Sequence, residues 1–265
     1  MLTGGARGAL IDLDGTVHAR GALLPGAAGA IDELRAQGVR LRFLTNTDSK
    51  TPETIRAELA ALGLRVAASE LFTPVAAAEL LLAAEEADPF LVVGEEVGPV
   101  LAKFVRGGPP THVVVGDCRD VLDYPLLDAA FRALRAGAGL IALQRGRYFK
   151  RADGDHLDTG AVVAALEYAA GTPARLVGKP STDFFALALR SAGCEAAQCV
   201  VVGDDATTDI AGGLAIGART VQVRSGKYAD QRAAGEGPRA HDVIDGIADL
   251  PALLAAAGPL PQGAS

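Results

Sequence analysis

Two aspartates stand at alternate positions directly after an apolar run, in the segment Ala9-Leu10-Ile11-Asp12-Leu13-Asp14. Two carboxylates this close repel one another unless a proton or a cation is shared between them. Their oxygen atoms are ligands that Mg²⁺ prefers. With the cation screening the pair, one carboxylate can attack phosphorus while the other serves as general acid and then as general base. The segment therefore predicts a magnesium site with phosphoryl-transfer chemistry.

The same segment has a simpler interpretation, in which Asp12 and Asp14 belong to a turn at the end of a strand and are merely solvated. Gly15 follows them and permits the chain to turn away. We favour the site, because an Asp-x-Asp-Gly-Thr string is rare by composition.

Two later segments also end an apolar run with polar residues. Phe43-Leu44 leads into Thr45-Asn46, where a hydroxyl group and backbone amides can hold phosphate oxygens, although a turn or a helix cap is the alternative. Lys179 follows Val177-Gly178 and offers a point charge for a phosphoryl group and for an attacking carboxylate. The alternative for Lys179 is an exposed structural lysine.

A fourth apolar run, Val200-Val201-Val202, delivers acidic residues after Gly203. We predict Asp204 as the third protein ligand of the metal. Asp209 falls on the first turn of the next helix, where the helix dipole favours a carboxylate, and it could fix Lys179 or a metal-bound water. Asp205 has two equal interpretations, a site residue or a helix cap.

The elements that position these residues alternate between short apolar runs and longer amphipathic stretches, which is typical of a parallel sheet flanked by helices. Ligands bind outside the carboxyl ends of such strands, so the four segments are expected to meet. The predicted strands are Ala9–Asp12, Val39–Thr45, Phe90–Val93, His112–Val115, Leu140–Leu143, Arg175–Val177, Cys199–Val202 and Thr220–Val223. The predicted helices are Pro25–Gly38, Glu53–Leu62 with Thr51 as its cap, Leu126–Ala136, Gly160–Ala170, Thr182–Ser191 and Thr207–Ile216. Residues 258–265 are expected to form a loose tail.

Composition and charge exclude several classes of function. The formal net charge of -7 leaves no basic surface for a nucleic-acid backbone, so nucleic acid is not an expected partner. No apolar run approaches the roughly 20 residues of a membrane span, and no signal peptide is recognisable. The three cysteines, Cys118, Cys194 and Cys199, show no metal-type or redox-type pair spacing, so a disulfide framework is not expected. We predict a cytoplasmic protein without a membrane partner.

Together the four segments resemble the four motifs of the haloacid dehalogenase (HAD) superfamily, over nearly the whole chain. The resemblance implies an α/β fold with a Rossmann-like core and a parallel sheet. It implies Asp12 as nucleophile, Asp14 as acid/base, Thr45 and Lys179 on the phosphoryl group, and Asp204 with Asp12 and Asp14 on Mg²⁺, where Asp14 would use its backbone carbonyl. The implied activity is a magnesium-dependent phosphatase that passes through an aspartyl-phosphate.

The wide gap between Asn46 and Lys179 is similar to the arrangement of subfamily IIA, whose members carry an inserted α/β cap of type C2. Further segments resemble that subfamily, namely Gly146–Lys150, Ala165–Ala169 and Ser225–Tyr228. By this likeness residues 1–76 and 175–265 form the core, and residues 77–174 form a cap with three strands and two main helices. A homodimer through the cap is possible by analogy.

The substrate is expected to be a small phosphorylated metabolite, a phospho-amino acid or pyrophosphate. Asn46, Thr45 and Lys179 are the predicted contacts of the phosphate. Asp117–Tyr124 and Arg147–Asp158 are the segments expected to read the leaving group, with Arg147 and His156 as candidates. A solvated loop is the alternative for both of these residues.

Other functions remain open on the same fold. A phosphotransferase would differ only in passing the phosphoryl group to an acceptor other than water. A catalytically silent binding protein would have no physical need for several neighbouring charges. Nucleotide binding through Gly4-Gly5-Ala6-Arg7-Gly8 is disfavoured, because this glycine run precedes its strand and no Walker lysine pattern exists.

Overall fold

The computed structural model describes residues 6–151 and 153–256. The tail expected at residues 258–265 and the first two glycines of the Gly4–Gly8 run lie outside them. The strands of the described residues are β1 Gly8–Asp12, β2 His18–Ala19, β3 Ala22–Leu23, β4 Arg40–Leu44, β5 Leu71–Phe72, β6 Pro89–Val92, β7 His112–Val115, β8 Gly139–Ala142, β9 Tyr148–Arg151, β10 Gly154–Leu157, β11 Ala174–Leu176, β12 Cys199–Gly203, β13 Arg219–Val223 and β14 Asp242–Ile244. The α-helices are α1 Ala27–Ala36, α2 Pro52–Ala61, α3 Pro74–Ala84, α4 Gly98–Ala102, α5 Tyr124–Arg135, α6 Thr159–Ala170, α7 Thr182–Ala192, α8 Ala211–Ala215, α9 Tyr228–Ala234 and α10 Leu250–Ala256.

These elements divide into two compact units. Within the described residues, the larger unit comprises 6–45, 56–72 and 179–256, and the smaller comprises 46–55, 73–151 and 153–178. The division predicted at residues 77 and 174 stays a prediction.

The larger unit is built on a six-stranded parallel sheet in the order β14-β13-β12-β1-β4-β5. Every residue of β1 and of β12 is buried, as their unbroken apolar sequences predict for central strands covered on both faces. Helix α7 covers part of the sheet with Phe184 and Phe185, both fully buried, and the Phe184 ring lies 5.0 Å from that of Phe72. The predicted α/β core is confirmed.

The register of the central strands brings the predicted site together. Ile11 of β1 pairs with Val202 of β12, and Asp12 pairs with Leu44 of β4. The residues that follow these positions are Gly203-Asp204 on one side of Asp12 and Thr45 on the other. Because parallel strands end at one edge of the sheet, the side chains of three predicted segments share that edge.

The smaller unit has its own parallel sheet, in the order β11-β8-β7-β6, with α5 and α6 packed on a core that includes Val113, Leu140 and Leu166. Strands β9 and β10 of the same unit form a separate antiparallel hairpin. The prediction of three strands for this unit was wrong, since the hairpin strands β9 and β10 lie within it and Ala174–Leu176, predicted as part of the core, adds a fourth strand to its sheet. The sequence places this strand just before Lys179, and local pattern does not reveal which sheet a short strand joins.

Most predicted helices are confirmed as α1, α2, α5, α6 and α7. The Thr51 hydroxyl accepts a hydrogen bond from Thr54 N at 3.1 Å, as the capping prediction requires. The helix predicted at Thr207–Ile216 is instead a π-helical turn, Ala206–Ile210, that runs into α8. Helix α3 was not predicted; Thr73 caps it by accepting from Ala76 N. In the described ranges, none of the helices has both the length and the apolar character needed to cross a membrane.

Candidate active site

Lys179 lies between two carboxylates of the larger unit. Its Nζ donates to Asp12 Oδ1 at 2.5 Å and to Asp209 Oδ1 at 2.7 Å, and its side chain is only 4% exposed. An exposed structural lysine is therefore the wrong interpretation. Burial alone would lower the pKa of Lys179, but Asp12 and Asp209 outweigh that effect and raise it, which favours the charged ammonium form.

Three buried aspartates, Asp12, Asp204 and Asp209, each place a carboxylate oxygen within 4.8 Å of the others. We call this group the acidic cluster. Burial raises the pKa of Asp12 and, well above the ordinary value, that of Asp209, while the Lys179 ammonium opposes both shifts. Burial, with the neighbouring Asp12, raises the pKa of Asp204 to about 7. One ammonium group does not balance the negative charge of three ionised carboxylates. A further cation is therefore needed to stabilise their ionised forms.

The acidic cluster fits a hard divalent cation. Oδ2 of Asp12 is buried and, within the described residues, has no hydrogen-bond partner, which leaves an anionic oxygen available as a ligand. The side-chain donors of this cluster are all carboxylate oxygens, which Mg²⁺ prefers to nitrogen or sulfur.

Glycines surround the cluster and leave it space. A Cβ at Gly15 would lie 2.5 Å from Asp204 Oδ2, one at Gly226 only 2.0 Å from the same atom, and one at Gly203 2.2 Å from Asp209 Oδ2. Gly15 has φ +90°, so it also makes the turn that its sequence position predicts. No side chain larger than hydrogen fits at these three positions without moving a carboxylate.

Asp14 occupies a different environment from the acidic cluster. Its side chain is 64% exposed, and Oδ1 lies 3.7 Å from His18 Nε2. The hydroxyl of Thr45 donates to Asp14 Oδ2 at 3.3 Å. The Asp14 carboxylate therefore lies between Thr45 and solvent. The Asp14 backbone is two residues beyond Asp12, the last residue of β1. The interpretation of Asp12 and Asp14 as a solvated turn fails for Asp12, which is buried.

The loop after β13 holds Asp204 and Asp205 in place. Lys227 N donates to Asp204 Oδ2 at 2.7 Å, and Lys227 Nζ contacts Asp205 Oδ2 at 2.8 Å. Asp205 also accepts from Gln231 Nε2 at 2.7 Å and from the backbone N–H groups of Thr207 and Thr208. Burial would raise the pKa of Asp205, but Lys227 and these hydrogen bonds hold it below the ordinary value. Asp205 is therefore a helix cap and also an anchor for the Ser225–Tyr228 loop.

Sequence reasoning did not assign roles to Lys227, Gln231 or Gly226. The signal was present, because Ser225–Tyr228 follows a predicted strand as the other site segments do. It lacked an acidic residue of its own, and a lysine in a glycine-containing loop is usually solvated.

The smaller unit contains the remaining candidates, Asn46 and Arg147. Asn46 is half-buried, and Arg147 is exposed in the segment before β9, where its carbonyl accepts from Asp158 N at 3.3 Å. The two segments expected to read a leaving group do meet within this unit. The Arg119 guanidinium lies over the Phe149 ring at 4.2 Å from the centroid, and the His156 ring stacks on Phe149 at 5.5 Å. The roles of Asn46, Arg147 and His156 stay predictions.

A buried aspartate of the smaller unit also escaped sequence reasoning. Asp48 Oδ2 accepts from Thr159 Oγ1 at 2.7 Å, and both residues are buried. Burial raises the pKa of Asp48 to about 7, against the hydrogen bond from Thr159, and Asp158 and Asp117 raise it further. The carboxyl group is thus protonated in the folded chain at a pH where it is ionised in the unfolded chain.

Asp48 should make stability fall as pH rises. Because its folded pKa lies above the unfolded value of 3.8, its favourable contribution is complete below pH 3.8 and disappears as pH rises through about 7. We expect Asp48→Asn to match the wild type near pH 4 and to exceed it at pH 8 by a few kcal/mol in the free energy of unfolding. Urea unfolding at both pH values measures the difference. Equal stability increments at pH 4 and pH 8 would contradict this account.

Comparisons with known proteins agree with this geometry. Residues 9–105 match the family model described as haloacid dehalogenase-like hydrolase, and residues 176–250 match one described as HAD-hydrolase-like. Human haloacid dehalogenase-like hydrolase domain-containing protein 2 is 40% identical over 219 residues, covering 83% of this chain and 84% of that protein.

Two further relatives cover nearly all of the chain. Human phospholysine phosphohistidine inorganic pyrophosphate phosphatase is 33% identical over 256 residues, 94% of each chain. The solved structure of p-nitrophenyl phosphatase from Archaeoglobus fulgidus superposes with a TM-score of 0.87 at 28% identity, covering 94% of this chain and 100% of that one. The resemblance inferred from the sequence motifs is confirmed. The chain belongs to the haloacid dehalogenase superfamily, subfamily IIA, and is a phosphohydrolase of that family.

Proposed function

We propose that this protein is a magnesium-dependent phosphatase that hydrolyses a small phosphorylated metabolite, a phospho-amino acid or pyrophosphate through an aspartyl-phosphate on Asp12. One observation supports this proposal above the others. Asp12 is buried, with Oδ1 held by Lys179 and Oδ2 without a hydrogen-bond partner in the described part of the chain. A buried carboxylate that Lys179 holds in one orientation, with its other oxygen open to the metal, suits in-line attack on phosphorus.

In the first proposed step, an Asp12 carboxylate oxygen forms a bond to phosphorus while the bond from phosphorus to the leaving group breaks. Asp14 donates a proton to the departing oxygen or nitrogen. In the second step, Asp14 removes a proton from water, whose oxygen attacks phosphorus, and the bond to Asp12 breaks. Phosphate leaves, and both carboxylates return to their starting states. Exposure of Asp14 to solvent suits the exchange of its proton.

Asp12 and Asp204 would hold Mg²⁺ with carboxylate oxygens, and Asp14 with its backbone carbonyl. When bound, the ion would neutralise negative charge on the phosphoryl oxygens. Lys179 holds Asp12 in one orientation and adds a second positive charge beside the reacting group. Asp209 fixes Lys179, and Thr45 fixes Asp14.

The proposed substrate class rests on the relatives. The names of the relatives support a phosphate ester, a phosphoramidate or pyrophosphate as substrate. We propose Thr45, Asn46 and Lys179 as contacts of the phosphate and Arg147 as a contact of the leaving group, with residues 77–174 acting as the cap domain. We also propose that the protein forms a homodimer through this domain and that it is cytoplasmic.

A phosphate-release screen tests this function. Aryl phosphate, sugar phosphates, nucleotides, pyridoxal phosphate, phosphohistidine, phospholysine and pyrophosphate are each supplied with Mg²⁺, with Ca²⁺ or with a chelator. We expect turnover with Mg²⁺ only, because Ca²⁺ takes more ligands at longer distances and would displace the attacking oxygen. Transfer of phosphate to an added alcohol would instead identify a phosphotransferase, and the absence of any release would favour a binding protein.

Asp14→Asn should be nearly inactive, with kcat lowered by about 10²–10⁴. The change keeps the side-chain size and the contact with Thr45 but removes the proton that the leaving group needs. Steady-state rates on aryl phosphate and on an alkyl phosphate measure the effect, which should be larger for the alkyl ester because its leaving group needs protonation more. Turnover at the wild-type rate on both esters would remove the acid/base role.

Gly226→Ala should weaken the binding of Mg²⁺ by at least about tenfold, because the new methyl group would lie 2.0 Å from Asp204 Oδ2 and must displace that carboxylate. Gly235→Ala is the matched control. Both glycines have positive φ, at 56° and 67°, but a Cβ at Gly235 meets nothing within 4 Å. Isothermal titration with Mg²⁺ measures both variants. Equal affinities in the two variants would show that Asp204 is not a ligand.

A further inference from the structure

The fold brings together two cysteines whose spacing in the sequence showed no redox pattern. Cys194 follows the end of α7, and Cys199 begins β12. Both thiols are free, and both approach Gly8 of β1. A Cβ at Gly8 would lie 2.7 Å from Cys199 Sγ and 3.0 Å from Cys194 Sγ, so the two sulfur atoms are at most the sum of these distances, 5.7 Å, apart. The missing side chain of Gly8 leaves the space that both sulfur atoms share.

The two thiols differ in their access to solvent. Cys199 is fully buried, whereas Cys194 is partly exposed. Burial raises the pKa of Cys199, and the adjacent Cys194 raises it further. A reagent from solvent can therefore reach Cys194 more readily than Cys199.

A fixed positive charge lies beside the exposed thiol. Arg40 Nη1 is 3.8 Å from Cys194 Sγ, and it also donates to the carbonyl oxygens of Ala192, at 3.1 Å, and Gly193, at 2.6 Å. These two backbone hydrogen bonds hold the guanidinium in place next to the sulfur. Reactive cysteines are found in partly exposed, electropositive surroundings of this kind.

We propose that Cys194 and Cys199 form a reversible dithiol–disulfide site, in which Cys194 reacts first with a small disulfide and Cys199 then resolves the adduct. The proposal concerns the start of β12 and does not depend on the phosphatase function, whose Asp204 follows the other end of that strand.

The reaction balances with a low-molecular-weight disulfide as oxidant. The Cys194 thiolate attacks one sulfur of the reagent, whose S–S bond breaks and releases one thiolate. That thiolate takes up the proton of Cys199, and Cys199 sulfur attacks Cys194 sulfur, which expels the second thiolate of the reagent. The two cysteines lose two electrons in total, and the reagent is reduced to two thiols.

Mass spectrometry of the full chain treated with glutathione disulfide tests the proposal. We expect the wild type to lose two hydrogen atoms, with Cys194 linked to Cys199 in the peptide map and full reversal by dithiothreitol. Cys199→Ala should stop at one glutathione on Cys194, and Cys194→Ala should acquire none. Cys118→Ser is the matched control, since Cys118 is 2% exposed in the smaller unit, and it should behave as the wild type.

A second variant tests the role of the cation without touching either thiol. Arg40→Met should slow the first step several-fold, and Arg40→Lys should restore much of the rate. The proposal is overturned if the wild type keeps all three thiols, if glutathione remains on Cys194 of the wild type without exchange to Cys199, or if Cys199 reacts when Cys194 is absent. None of these outcomes depends on phosphatase activity, so failure here leaves the proposed function intact.

Discussion

Asp12→Asn is expected to abolish phosphate release, with a loss in kcat of at least about 10⁴-fold, because the substitution removes the nucleophile. Asparagine keeps the shape of the side chain and an oxygen that can accept from Lys179, so the fold around the site should persist. It lacks the negative charge that attacks phosphorus, and Asp209, which also contacts Lys179, has its other oxygen hydrogen-bonded to Asp205 N. Release of phosphate from an aryl phosphate with Mg²⁺ measures the loss.

A matched control separates chemistry from charge. Asp32→Asn removes a carboxylate that is 76% exposed on α1, and it should retain full activity. The melting temperature of Asp12→Asn should not fall below that of the wild type, because one of three crowded carboxylates has been neutralised. Wild-type turnover in Asp12→Asn would refute the covalent route through this residue.

Lys179→Met should both destabilise the protein and reduce turnover. Methionine has a similar length but no charge, so Asp12 and Asp209 would lose the cation that contacts both of them. Removing one partner of a buried ion pair typically costs about 3–5 kcal/mol of stability. We expect a loss of that size without Mg²⁺ at pH 8, and a smaller loss at pH 5, where the carboxylates can take up protons. Loss of the charge beside the phosphoryl group should lower kcat by about 10²-fold or more.

Added Mg²⁺ should partly replace the charge that Lys179→Met removes. Because the acidic cluster would then hold three carboxylates without a protein cation, added Mg²⁺ should raise the melting temperature more in Lys179→Met than in the wild type. Lys103→Met is the control, since Lys103 is 58% exposed and pairs with Glu79 on the surface. Identical stability of Lys179→Met and Lys103→Met would mean that the Lys179 contacts contribute nothing to the free energy of unfolding.

The positions around β1, β4 and β12 could be predicted from the sequence because each signal is local. An unbroken apolar run identifies a central strand, and the first polar residues after it fall at the carboxyl edge of the sheet. Asp12, Thr45 and Asp204 follow from this rule alone. Lys179 was harder, because an exposed lysine has the same sequence appearance, and only its contacts with Asp12 and Asp209 separate the two interpretations.

Other features depend on contacts between distant parts of the chain, and local pattern does not encode them. Strand β14 has only three residues, and its place at the sheet edge comes from pairing with β13. Asp48 is buried against Thr159, which is 111 residues away in the sequence. The proximity of Cys194 and Cys199 depends on the absence of a side chain at Gly8. A sequence read alone shows none of these, because spacing along the chain does not fix distance in the fold.

A crystal structure of the protein with Mg²⁺ tests the central claim most directly. We predict one ion bound by a carboxylate oxygen of Asp12, a carboxylate oxygen of Asp204 and the backbone carbonyl of Asp14, each at about 2.0–2.1 Å in octahedral geometry. An ion bound elsewhere, or Asp12 and Asp204 turned away from a shared ion, would contradict the account.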